Sequence, residues 1–148
     1  MTKRMMIAAL ALIGAFVATY LTLYKIGVIG QLTCSIQGCE TVNASRWATF
    51  LGFPVAAWGV AFYVAMFVVA LIGTSRTYED ERNFSQALAL MSGMGVIFSG
   101  WLTYLELFVI HAVCMWCVTS AVIVTIIFVL SLRDLGERGN SVGDATPA

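Results

Sequence analysis

Charge is what this chain has least of. Only 11% of its 148 residues are Asp, Glu, Lys or Arg, against about 25% in ordinary soluble domains. Hydrophobic residues make up 60%. A water-soluble globule of this length would need more polar surface, so the composition points to an integral membrane protein. The length allows one domain. No basic stripe is present, which removes nucleic acid as a partner. A glycine-rich nucleotide-binding loop and an internal repeat are missing as well.

Lys and Arg are absent from four long stretches: Met5 to Tyr24, Phe53 to Gly73, Gln86 to Ile110 and Ala112 to Leu132. Each reaches the ~20 apolar residues that a bilayer requires. Backbone groups in lipid must pair within the segment, so each stretch is expected to be a helix. The predicted fold is all-α: a bundle of four transmembrane helices. Only Glu106 is charged within a window, near the outer end of the third. Lys3 and Arg4 precede the first window as they would precede a signal peptide. The apolar run is longer than a signal core, however, and no clear small-residue cleavage site follows. An uncleaved first helix is expected.

Basic residues set the expected orientation. Lys3, Arg4, Arg76, Arg82, Arg133 and Arg138 fall on one side, and Lys25 and Arg46 on the other. Six against two places both termini in the cytoplasm. The polar connection Thr74 to Gln86 then joins the second and third helices on that side. Residues 1–134 are expected to form the membrane domain. Residues 135–148, rich in Gly and small polar residues, read as a disordered cytoplasmic tail.

The outer loop between the first two helices, "GVIGQLTCSIQGCETVNASRWATFLG", is long for a connection in a compact bundle, and such loops are often functional. It carries Cys34 and Cys39. The other two cysteines, Cys114 and Cys117, open the fourth window in "HAVCMWC". All four therefore map to the outer side, where disulfides persist. Residues three apart on a helix share a face, and a helix N-terminus favours negative charge and hence thiolate. Cys117, one turn further in, is expected to be the more buried. Two pairs on one side suggest a relay: the loop pair exchanges electrons with an external protein, then with Cys114 and Cys117 by thiol–disulfide exchange. A lipid-soluble quinone suits the inner pair as final acceptor. A four-cysteine zinc site, two structural disulfides and chance burial compete with this reading. Zinc prefers a rigid, closed site, whereas one pair here opens a membrane helix.

These residues resemble the vitamin K epoxide reductase family in its short bacterial form. The matching pattern is Cys34 and Cys39, then Ser45, then "LGFP" with Gly52 and Pro54, then "WGVAFY", and finally "YLELFVIHAVCMWC". It extends over roughly Met5 to Leu132. The combination is highly specific, whereas either half alone is weak. The resemblance implies a four-helix bundle around a quinone (ubiquinone or menaquinone), with Cys117 nearest the ring. It implies that Cys34 and Cys39 receive electrons from a periplasmic thioredoxin-fold thiol oxidase, in a bacterial inner membrane, so that secreted proteins acquire disulfides. Animal members instead recycle vitamin K. Ser45, by the same resemblance, orders a short helix in the outer loop that caps the pocket.

Some bacterial relatives carry a fused thioredoxin-like domain after a fifth helix. This sequence ends after the fourth, so a separate partner protein is expected. Four residues lie between Cys34 and Cys39, a shorter spacing than in some relatives, which leaves their order of attack open.

Ser45 by itself reads as an N-cap for a helix over "RWATFLG". Trp47, Phe50, Phe53, Trp58 and Trp116 are candidates to line a ring-shaped ligand, against simple packing or an interfacial belt. His111 reads as a solvated corner residue rather than a tuner of the thiols. Glu106 is a functional candidate because it is a carboxylate in a span, although its place near the outer boundary weakens that case. Gly95-x-x-x-Ser99 and Ala89-x-x-x-Gly93 let the third helix approach its neighbours. The alternative function is a small metal-binding or metal-transporting membrane protein whose cysteines hold a soft cation.

Overall fold

Each apolar stretch folds as a helix because only a helix pairs every backbone group within one segment in lipid. The computed structural model describes residues 2–28, 46, 49–75, 77 and 82–145. Helix α1 spans Thr2–Lys25. A two-stranded hairpin follows, β1 (Thr49–Phe50) and β2 (Phe53–Pro54), leading directly into α2 (Val55–Thr74). Helix α3 (Arg82–Tyr104) continues as a π-helical turn (Leu105–Ile110), and α4 runs over Met115–Ala145. Among the described residues, four helices are long and apolar enough to cross a membrane: Lys3–Lys25, Val55–Thr74, Arg82–Ile110 and Met115–Glu137. The expected four-helix membrane architecture is present.

Helix α1 packs on α2 and α4, and α3 packs on α4 and α2. The inward face of α1 carries Ile7, Ala8, Ala11, Gly14, Val17, Ala18 and Leu21, spaced at helical intervals. Most of these are small, as expected where lipid gives no hydrophobic drive and close packing holds helices together. A Cβ on Gly14 would lie 2.4 Å from the Tyr63 ring. One on Gly95 would lie 2.7 Å from Phe62 and 2.8 Å from Val124, in keeping with the close approach read from the sequence. Two buried serine hydroxyls bond within their own helix, Ser92 Oγ to the Leu88 carbonyl at 2.6 Å and Ser131 Oγ to that of Ile127 at 2.8 Å.

One expectation is corrected. Of the helix expected over "RWATFLG", Arg46 sits in a 3₁₀ turn, but Thr49 onward forms the hairpin. Its turn residues Leu51 and Gly52 have φ of 54° and 83°, the doubly positive pattern of a tight hairpin turn. Pro54 then holds Phe53 extended. Helix α4 runs on to Ala145; a helix already nucleated elongates without the nucleation penalty.

The first turn of α1 helps to hold those emerging turns. Arg4 is fully buried. Its Nε lies 3.3 Å from Asp134 Oδ2 on α4, Nη2 donates to Ser85 Oγ on α3 at 3.0 Å, and Nη1 donates to the Gly73 carbonyl of α2. Ser85 Oγ donates to Asp134, and Lys3 pairs with Glu137. One guanidinium thus ties all four helices together, where the sequence suggested only a flanking charge.

Candidate active site

At the opposite end of the bundle the chain must pass from α3 to α4 in a few residues. The π-helical turn widens the end of α3. Its Glu106 carbonyl accepts the N–H of His111 and, at 3.0 Å, that of Ala112. His111 takes a left-handed conformation, φ 58°, and is exposed at this corner. Turns of this kind are rare and are frequently found at functional sites.

Cys114 follows and is fully buried. Its carbonyl accepts the first α4 bond, from the Val118 N–H at 3.0 Å, while its sulfur faces the N–H groups of Trp116 and Cys117. It is therefore the N-cap, with a sulfur where an oxygen usually sits. N–H groups so aimed stabilise negative charge. One turn on, the Cys117 thiol is within hydrogen-bonding reach of both the Cys114 sulfur and the Glu106 carboxylate. Glu106 is buried, and its Oε2 also accepts the Cys114 N–H at 3.2 Å.

The helix starts at Met115 rather than Ala112. The expected order of burial is reversed: Cys114 is the enclosed sulfur, and Cys117 is partly exposed. The physical reason is a cavity. Leu21, Tyr20 and Tyr24 of α1 pack around Cys114, whereas Cys117 opens on a space of about 440 Å³ between the four helices. That volume lies in the range of small-molecule sites, about 300–1,000 Å³. Trp58, Phe62, Met91, Met94 and Phe98 are among its apolar lining. Cys117, Glu106, Tyr63 and Ser120 are among its polar groups, with the Tyr63 hydroxyl donating to the Ser120 carbonyl at 2.9 Å and lying 2.8 Å from its Oγ.

The aromatic candidates separate. Trp58 lines the cavity. Its indole N–H donates to the Phe50 carbonyl at 3.0 Å, and the Phe50 and Phe53 rings meet it edge-on at 6.2 and 6.4 Å. Those two phenylalanines support Trp58 instead of forming the wall. Trp116 packs on Tyr20, with ring centroids 5.1 Å apart, outside the cavity lining. At about 100° per residue, the position before Cys117 is carried away from the face that Cys117 presents. Cys34, Cys39, Ser45 and Trp47 lie outside the described residues.

Reasoning from sequence missed Phe62, Tyr63, Met91, Met94, Phe98 and Ser120 as cavity residues. The first two stand in "WGVAFY", a stretch already singled out. The methionines carry no such signal. Glu106 had one, an ionisable residue within a span, and the π turn brings it inward to the thiols.

The vitamin K epoxide reductase family matches residues 5–132, a range that takes in the four apolar stretches and the C-x-x-C. Its members are helical membrane redox enzymes that use quinones as redox partners and generally work with thioredoxin-like proteins. The fold and the match agree: this chain belongs to the vitamin K epoxide reductase family and is a membrane oxidoreductase.

Proposed function

We propose that the protein is a thiol:quinone oxidoreductase of a bacterial inner membrane. Electrons pass from a separate periplasmic thioredoxin-fold thiol oxidase to Cys34 and Cys39, then to Cys114 and Cys117, and then to ubiquinone or menaquinone. The net result is support for disulfide formation in secreted proteins. The observation that carries this reading is the opening of Cys117, and not Cys114, onto the apolar cavity. A flat lipid-soluble ring fits a space walled by Trp58, Phe62, Met94 and Phe98. Bound there, it supplies the acceptor for two electrons. The protein excludes water and presents one sulfur to the ring. Cys114, beside Cys117, completes the redox pair that the loop pair reduces by thiol–disulfide exchange. The six-to-two bias of Lys and Arg supports cytoplasmic termini and a periplasmic active end.

The test is anaerobic mixing of purified protein with a reduced thioredoxin-fold donor and each quinone in turn, following quinol. Quinol formation is expected with at least one of the two. Absence of quinol with both, together with stoichiometric zinc or copper in the purified protein, would favour the cation-binding alternative.

A further inference from the structure

Closing a disulfide between Cys114 and Cys117 breaks two S–H bonds and forms one S–S bond. It releases two electrons and two protons, and reduction of a quinone to its quinol takes up the same. In an apolar cavity those protons need a carrier. On the quinone-reductase reading above, we infer that Glu106 is that carrier: its carboxylate takes the Cys117 proton as the sulfur is oxidised and passes it to a quinone oxygen.

Three features of the geometry support this. Glu106 is within hydrogen-bonding reach of the Cys117 thiol. It lines the same cavity. The Cys114 N–H holds one of its oxygens at 3.2 Å, which fixes the carboxylate beside the reacting sulfurs. In the balanced step, Glu106 is ionised while Cys117 is a thiol. It becomes the acid as the S–H bond breaks, and is ionised again once the proton has moved to the quinone. The proton of Cys114 leaves to solvent when its thiolate forms, and the second proton of the quinol is drawn from solvent. Among the described residues, the other titratable groups on this cavity are Cys117 of α4, Lys25 of α1 and Tyr63 of α2, with Cys114, Tyr20 and Tyr24 in the adjoining cluster. His111 meets Glu106 through its backbone N–H.

Two substitutions separate proton transfer from mere support. Glu106→Gln can still accept the Cys114 N–H but cannot carry a proton. Glu106→Leu can do neither. With dithiothreitol as donor, Glu106→Gln is expected to slow quinone reduction about 100-fold, the lower end of general acid–base contributions. Its residual rate should climb with pH, while the wild-type rate falls at low pH, where the carboxylate is protonated. A purely structural role predicts a wild-type rate and pH profile in Glu106→Gln and damage only in Glu106→Leu. That outcome would overturn the assignment.

A second readout needs no quinone. The infrared difference spectrum between dithiol and disulfide forms should contain a carboxyl band that Glu106→Gln removes, and its presence in the variant would also contradict the proposal. The two readings fail separately. A wild-type protein unable to reduce any quinone ends the quinone reading but leaves the infrared band to report on Glu106.

Discussion

The two ends of the bundle each bury a carboxylate, in opposite manners. At the Arg4 end, Asp134 meets the Arg4 guanidinium and accepts from the Ser85 hydroxyl, and Arg4 also donates to Ser85 and to the Gly73 carbonyl. At the other end Glu106 meets a backbone N–H and a thiol and borders a cavity. Charges matched by opposite charge hold a structure in place. A carboxylate set between a thiol and open space can change its protonation as the thiol changes its bonding. The first end therefore reads as the fixed part of the bundle and the second as the reactive part.

The sharpest way to test that contrast is to remove sulfur. On the proposed relay, Cys114→Ala or Cys117→Ala abolishes quinone reduction with both dithiothreitol and a thioredoxin-fold donor. Normal turnover by Cys117→Ala would exclude it from the active site. Cys34→Ala or Cys39→Ala should lose only the protein donor, because a small dithiol can reach the inner pair where a folded protein cannot. Equal loss with both donors would break the proposed division of labour.

The Arg4 end should respond in stability instead. Removing one partner of a buried ion pair typically costs 3–5 kcal/mol, so Arg4→Ala should lower the denaturation midpoint substantially. The folded fraction should keep its quinone-reducing rate per molecule. A normal midpoint with lost activity would reverse the roles assigned to the two ends. Smaller still is Tyr63→Phe, which removes the hydroxyl bonded to Ser120. About 1 kcal/mol of stability is expected to go with it, readable as a modest shift in midpoint.

Much of this was legible in the sequence because membrane spans are local. Runs such as Val55–Thr74 announce themselves, and the C-x-x-C and its surroundings carried the family resemblance. Which face of each helix turns inward was harder to read. Lipid and core are equally apolar, so exposed Leu90 and Ile97 differ little in kind from buried Leu88. The pairing of Arg4 with Asp134 joins opposite ends of the chain, beyond the reach of any local pattern. The π turn escaped as well, and with it the inward aim of Glu106 and the place of Cys114 as N-cap.

Orientation has its own check. In a variant whose four native cysteines are replaced by Ser, a cysteine introduced at Ser141 should resist a membrane-impermeant thiol reagent in intact spheroplasts and react after lysis. Labelling in intact spheroplasts would invert the proposed topology and move the reactive end to the cytoplasm.

The central claim is that the Cys117 end, and not another surface, takes the quinone. A photoreactive quinone, cross-linked to the purified protein and mapped by peptide mass spectrometry, tests it directly. Saturable labelling of the cavity wall, at Met91, Met94 or Phe98, and its suppression by excess unmodified quinone, is the predicted result. Saturable labelling confined to the Arg4 end or the lipid-facing surface of α3, at Leu90 or Ile97, would contradict the account.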